Sequence, residues 1–355
     1  MKETEKVSIV KCKTYNQSEV DFSVDKALNL AGIEIPKNKK VLIKPNLVVW
    51  NLKHPEAGLT NPTIIEAVCK KLKKNNCKIF IGESSFMDTD VCFKKSDVEN
   101  IAKKYDAKII IFEQDKLVTI NDKNAKVLKN FKVSKTLRDM DLIINIPKLK
   151  THQLAKFTGA IKNLYGLIPG GMKQTLHKKA QSEKMFSKLL VDVYQNFKPQ
   201  INIMDGVIGM EGNGPTSGKP VESGYILASK NSISLDIASS KLIGYNPKKI
   251  YSIKEAVKRN LGSFKFEIAG MKKIPNLNFE KPIVVGIFNK IVSGYFKEKP
   301  IVVDEKKCIQ CGTCMKKCPA KAISMNPYPI INRKKCIRCF CCMEICSEDA
   351  LSLKE

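Results

Sequence analysis

Residues 40–74 read KVLIKPNLVVWNLKHPEAGLTNPTIIEAVCKKLKK, and this stretch decides the fold. Val41-Leu42-Ile43 is a short apolar run of the kind a buried strand uses. It ends abruptly in Lys44-Pro45-Asn46. Asn61 then offers an N-cap, with Pro62 at the first helical position, and helical periodicity runs on to Lys74. The next apolar run starts at Lys78. Strand, polar turn, helix and strand together make one unit of a parallel sheet.

The unit recurs in both directions. Strands are expected at Val7–Lys11, Lys40–Lys44, Lys78–Ile81, Lys108–Phe112, Asp141–Ile146, Gln200–Met204 and Tyr225–Ala228. Helices are expected at Val20–Ala31, Pro62–Lys74, Val91–Tyr105, Gly159–Tyr165, Ala180–Gln195, Ser232–Leu242 and Ile250–Arg259. Leu117–Val133 reads as an inserted hairpin around Asn121-Asp122-Lys123-Asn124. The expected fold class is α/β, a largely parallel sheet flanked by helices, over residues 1–270. A connector with an amphipathic helix at Ile283–Phe296 spans 271–299, and a small α+β domain fills 300–355.

Composition narrows the function. The chain has 355 residues, 43% of them hydrophobic, which is enough for a sizeable core. Its apolar runs stop at about six residues, against the roughly 18 a membrane span needs, so no membrane partner is expected. Met1–Glu5 is acidic, with no apolar stretch behind it, unlike a secretory signal. The formal charge is +27, from 62 basic and 35 acidic residues. Ten of the basic and six of the acidic residues lie from Pro300 onward, so +23 belongs to the first 299 residues. The lysines are dispersed, often on helix faces such as Cys69–Lys74, which is the pattern of a solvated face rather than a nucleic-acid stripe.

Nine of the 13 cysteines fall between Cys308 and Cys346. Cys308, Cys311, Cys314 and Cys318 recur 28 residues later as Cys336, Cys339, Cys342 and Cys346. Three thiolates at three-residue intervals wrap one corner of a cubane cluster, and the fourth points away. In two-cluster ferredoxins that fourth cysteine ligates the other cluster. The expected assignment is two 4Fe–4S clusters: Cys308, Cys311, Cys314 and Cys346 hold one, and Cys336, Cys339, Cys342 and Cys318 hold the other. Zinc is the alternative, since it also uses Cys-x2-Cys pairs, but the repeated rhythm favours clusters. Cys341 is an extra thiol, expected not to be a ligand, with a ligand swap as the alternative. These 50-odd residues resemble a bacterial two-cluster ferredoxin. Ser347 stands where a proline usually follows the fourth cysteine.

Four strand ends carry polar groups. They are Lys44 with Asn46, Glu83 in Gly82-Glu83-Ser84-Ser85, Lys148-Leu149-Lys150-Thr151-His152, and Asp205. Ligands of open parallel sheets bind beyond the carboxyl ends of strands, so one pocket is expected there. Lys148, Lys150, Lys156, Lys162 and Lys173 are candidates to face an anion, and Thr158-Gly159-Ala160 opens a helix whose free N–H groups favour one. Asp205–Pro215 reads as a second, Gly-rich loop. His152, Lys148 and Lys150 are the candidate catalytic residues. Lys44, Asn46, Glu83, Lys162, Asn163, Asp205 and Asn213 are the candidate ligand-binding residues. No phosphate loop or dinucleotide fingerprint is present.

IKPNLV at 43–48, INIPKLKTH at 144–152, TGAIKNLYG at 158–166 and DGVIGMEGNGP at 205–215 resemble the family called domain of unknown function 362. Its members often carry a C-terminal two-cluster ferredoxin module. The resemblance implies this architecture and iron–sulfur binding. One position differs: Thr60-Asn61-Pro62 stands where the family commonly shows Thr-His-Pro. The expected function is electron transfer serving a reduction of an anionic small molecule, with a redox protein as partner and a cytoplasmic location. The alternative is a non-enzymatic carrier or cluster-delivery protein whose α/β domain docks a partner.

Overall fold

The computed structural model describes residues 4–180, 182–282, 301–337 and 339–353. The expected helix at Ile283–Phe296 lies outside the described residues.

The described residues up to 282 form an α/β domain. Its strands in chain order are β1 Lys6–Lys11, β2 Lys40–Lys44, β3 Lys78–Glu83, β4 Lys108–Ile111, β5 Leu117–Asn121, β6 Asn130–Ser134, β7 Leu142–Asn145, β8 Lys148–His152, β9 Lys156–Thr158, β10 Ile201–Glu211, β11 Lys219–Ser229 and β12 Glu267–Ala269. The main sheet runs β12-β1-β11-β10-β7-β2-β3-β4, with β8 paired to β10 and β9 to β8. The run β10-β7-β2-β3-β4 is parallel, while β11 joins β10 and β1 antiparallel. β5 and β6 form the expected hairpin.

Side-chain alternation builds a core on each face of this sheet. Val41 and Ile43 pack on one face with the helices Gln17–Leu30 and Pro62–Lys74. Leu42 packs on the other with Glu183–Asn196 and Ser232–Leu242. The helix Pro62–Lys74 starts as its sequence requires. Asn61 accepts a hydrogen bond from the Thr63 N–H, and Pro62 fills a position whose own N–H would have no partner. Such a cap stabilises a helix by about 1 kcal/mol.

Several elements differ from expectation, among them β8, β9 and the helix Gly170–Lys179, which were not expected. The helix expected at Val91–Tyr105 is two helices, Thr89–Lys95 and Val98–Lys104, broken where Asp97 takes a left-handed φ of 61°. Aspartate tolerates that region better than most residues. The Gly-rich stretch from Asp205 is largely strand, since β10 continues to Glu211. Its glycines serve close packing: a Cβ on Gly206 would lie 2.8 Å from the Tyr225 carbonyl oxygen, and one on Gly209 3.0 Å from that of Leu149.

The cysteine-rich tail has an internal two-fold repeat. β13 Ile301–Val303 pairs with β16 Leu351–Leu353, and β14 Ile323–Asn326 with β15 Tyr328–Ile331. The short helices Thr313–Lys316 and Cys341–Glu344 are 28 residues apart. Gly312 and Phe340, which precede them, share a left-handed backbone. Among the described residues, no helix is long and apolar enough to cross a membrane.

Candidate functional site

Lys44 closes β2 and Glu83 closes β3. Both are buried, and the Lys44 Nζ donates to Glu83 Oε2 at 2.7 Å. Glu83 also accepts the Leu47 and Ser84 N–H groups. Burial lowers the Lys44 pKa and raises that of Glu83, against the attraction between them. A side chain at Gly166 would collide with both groups, so glycine is required at that crossing.

Above this pair lies a cavity of about 670 Å³, counting its open mouth. Asn46, Glu83 and Ser84 line its floor, at the ends of β2 and β3. Lys162 and Asn163 line one wall, from the helix Ala160–Asn163. Lys173 and His177 line another, from the helix Gly170–Lys179. Glu344 and Ile345 of the tail complete it. Three rings pack together at its side. His177 stacks on Phe186 with centroids 5.2 Å apart, and Tyr165 meets both edge-on.

The cavity is cationic and incompletely satisfied. Burial lowers the Lys173 pKa to about 8, opposed by Glu83. Its Nζ donates to the Ser84 carbonyl oxygen. Lys162 is half-buried, and desolvation lowers its pKa against the pull of Glu344. Desolvation raises Glu344 to about 7, and Lys162 and Lys150 oppose that. His177 is held near 4 by burial and by Lys162 and Lys173, so it is neutral at pH 7. Asn46 Oδ1, Ser84 Oγ, Thr158 Oγ1 and His177 Nδ1 are buried without a hydrogen-bond partner. All four residues line the cavity. Unpaired buried polar groups are costly in a folded chain, and several around one cavity point to a ligand.

Of the residues singled out in the sequence, Asn46, Glu83, Ser84, Ser85, Thr158, Lys162, Asn163 and Lys173 line this cavity, and Lys44 supports it through Glu83. The others lie elsewhere. Lys148 Nζ donates to Asp205 Oδ2 at 2.9 Å and to the Tyr15 hydroxyl at 2.6 Å. Asp205 in turn accepts from the Tyr15 hydroxyl and the Asn61 N–H, which makes a second buried ion-pair centre. Lys150 donates to the carbonyl oxygens of Gly58 and Pro215. His152 Nδ1 faces the Leu154 and Ala155 N–H groups and accepts from them, so its proton is on Nε2. That Nε2 lies 3.5 Å from Glu344 Oε1 without a hydrogen bond between them, and both atoms are buried without a partner. Asn213 Nδ2 donates to Asp349 of the tail. Lys156 pairs with Glu183. The N–H groups of Ala160 and Ile161 are taken by the Asp236 carboxylate, so the anion at that helix start is internal.

Tyr165, Glu344 and Ile345 were missed as cavity residues. Glu344 carried a signal: it occupies the repeat position where the first cysteine run has Lys316. Its place against the α/β domain is fixed by Thr216, whose hydroxyl donates to the Glu344 carbonyl oxygen, and by Ser217, which donates to that of Cys346. Ile345 is buried within the core of the α/β domain.

The cysteines line two further cavities. Cys308, Cys311, Cys314 and Cys346 surround one, and Cys318, Cys336, Cys339 and Cys342 surround the other. The N–H groups of Ala322 and Ala350 donate to the sulfurs of Cys318 and Cys346, each at 3.3 Å. Cys341 is buried, and its neighbour Cys339 and its own burial raise its pKa far above the usual thiol range.

The chain matches known proteins at both ends. Residues 301–324 match the 4Fe-4S binding domain, so the tail is an iron–sulfur module. The chain is 29% identical to a thylakoid-associated protein of Synechocystis over 246 residues, 68% of this chain and 75% of that protein. Two solved structures overlap part of it: the lactate racemase apoprotein of Thermoanaerobacterium thermosaccharolyticum (TM-score 0.43, 14% identity, 68% of this chain and 57% of that one) and a Thermotoga maritima protein (0.38, 13%, 57% and 52%). The chain thus spans little more than half the length of these two structures. The family described as domain of unknown function DUF362 matches residues 41–241, more than half of the chain. The chain belongs to that family, with a 4Fe–4S binding domain following it.

Proposed function

We propose that the protein is an iron–sulfur reductase acting on a small anionic substrate in the cavity between the sheet ends and the tail. One observation carries this reading. The residues of the tail that complete the cavity, Glu344 and Ile345, stand between Cys342 and Cys346 in the chain. The donor set fits two 4Fe–4S clusters, four sulfurs around each of two cavities in the crossed arrangement of two-cluster ferredoxins. When bound, such clusters supply single electrons.

Lys162 and Lys173 hold the anion. Lys173, with a pKa near 8, gives one proton to the substrate as it is reduced and is recharged from solvent. The clusters, when bound, would supply the two electrons of such a reduction, and water the second proton. Glu83 and Lys44 fix the floor. Electrons enter at the first cysteine run. Ile309, Cys311 and Met315 are exposed there among Lys306, Lys307 and Lys316, a surface suited to an acidic electron-carrier protein.

The test uses anaerobic full-length protein. It should hold about eight irons and show a reducible paramagnetic signal. Small acids that bind should reoxidise the reduced protein. Lys173→Met should abolish that reoxidation with iron content and reducibility unchanged. Two zinc ions without visible absorption would sink the cluster reading. Binding of no small acid to iron-loaded protein would favour a carrier whose α/β domain docks a partner.

A further inference from the structure

The cavity floor contains an acceptor whose orientation is set from deep inside the sheet. Asn202 Nδ2 donates to the Ser229 carbonyl oxygen, leaving Asn202 Oδ1 to accept from Asn145 Nδ2 and from the Ser232 hydroxyl. Asn145 Nδ2 also donates to the Ala160 carbonyl oxygen, so Asn145 Oδ1 faces Asn163. Asn163 Nδ2 has three acceptors around it: Asn145 Oδ1 at 2.8 Å and the carbonyl oxygens of Lys44 and Pro45 at 3.2 and 3.3 Å. Asn163 Oδ1 must therefore point at Asn46, which donates to it through Nδ2 at 2.9 Å.

Each amide in this chain has only one satisfactory orientation. Turning Asn163 over would set its oxygen against three others, and turning Asn46 over would oppose two oxygens. Asn46 is consequently left with Oδ1 as its free end. That oxygen is buried, accepts no hydrogen bond from the protein, and belongs to a residue lining the cavity. An ionised carboxylate oxygen cannot satisfy it, because it is an acceptor only. The anion-holding lysines and this acceptor thus ask for two different groups on one ligand.

We propose that the ligand is a small acid that also carries a hydrogen-bond donor, a hydroxyl or amino group, and that Asn46 Oδ1 is the acceptor that selects it. This rests on the anionic reading of the cavity and narrows it. The four-asparagine chain is the positioning device: it spends its hydrogen bonds on orienting one oxygen. A donor-free acid of the same size would leave that oxygen buried and unpaired, which is the situation that lets a site reject an analogue lacking one polar group.

The experiment is calorimetric titration of iron-loaded full-length protein under anaerobic conditions. The probes are propionate and benzoate, their hydroxy- and amino-substituted forms, and the amides of those substituted acids. The expected result is that at least one donor-bearing acid binds about tenfold or more tighter than its donor-free parent. Asn46→Ala should erase that difference. Lys173→Met should weaken parent and substituted acid alike. Equal binding of parent and substituted acids to the wild-type protein overturns the selection by Asn46 and leaves the anionic reading standing. Amides that bind as well as the acids overturn the anionic reading itself. Should Asn46→Ala not fold, as judged by iron content and thermal unfolding, the wild-type comparison decides alone.

Discussion

The two cysteine runs are copies of one motif in opposite surroundings. In the first, Ile309 is 64% exposed and Met315 37%, and lysines surround them. In the second, Ile337 is half-buried, Met343 is 5% exposed and Ile345 is 2% exposed. Lysines at 316 and 317 become Glu344 and Ile345 28 residues later. The backbone is retained, down to the left-handed residues Gly312 and Phe340. What differs is what each copy touches. The second copy is built to be covered by the α/β domain and to complete its cavity. The first is left open to solvent.

The comparison is sharpened first by removing ligands. Cys311→Ser and Cys339→Ser should each cost roughly half the iron, from about eight to about four atoms, since each takes one thiolate from a different set. Iron analysis and paramagnetic resonance read this. Loss of all the iron from either variant would mean that the two halves are not separable.

The next effect is on stability. Ile345→Asp places a charge in a packed core and should cost at least about 3 kcal/mol, whereas Met343→Ala should cost about 2–5 kcal/mol for the cavity it leaves. The matching change in the first run, Met315→Ala, should stay within about 0.5 kcal/mol. Anaerobic denaturant unfolding checks all three. Equal costs in the two runs would break the asymmetry.

Smaller effects separate the two faces by what they sense. The cavity should respond to pH. Anion binding needs the Lys173 ammonium, whose pKa burial has brought to about 8. Affinity should fall as pH rises, first as Glu344 ionises near pH 7 and then by up to about tenfold per unit as Lys173 loses its proton above about pH 8, and Lys173→Met should remove the second fall. The exposed run should respond to salt instead. Charge reversal at Lys306, Lys307 and Lys316 should slow reduction by an acidic carrier protein several-fold to about tenfold, with the effect fading at high ionic strength. Stopped-flow reduction reads it, and acid binding in the cavity should not change.

Much of this was legible from the sequence, because the signals were local. Asn61-Pro62 announced a helix start, Leu117–Val133 a hairpin, and the cysteine spacing an iron–sulfur module. The ends of β2 and β3 marked the cavity floor correctly through Asn46 and Glu83. Reading failed where tertiary contacts decide. Lys148, Lys150 and His152 alternate along β8 as if facing a ligand, but Asp205 and two carbonyl oxygens take the lysines, and two backbone N–H groups take the His152 Nδ1. A charged run beyond a strand does not say whether its partner is a substrate or the protein. Glu344 went unnoticed because its role depends on the tail docking onto a surface more than a hundred residues away in sequence. Asn46 was named, but the orientation of its amide follows from four asparagines that no local pattern connects.

The most direct test of the central claim is a single-turnover reoxidation. Iron-loaded protein is reduced, freed of excess reductant, and mixed anaerobically with the acid that binds it most tightly. The account predicts that the reduced-cluster signal is lost in step with product, one product molecule for every two electrons held, and that Lys173→Met stays reduced. Tight binding of the acid with clusters that remain reduced in the wild-type protein would contradict it.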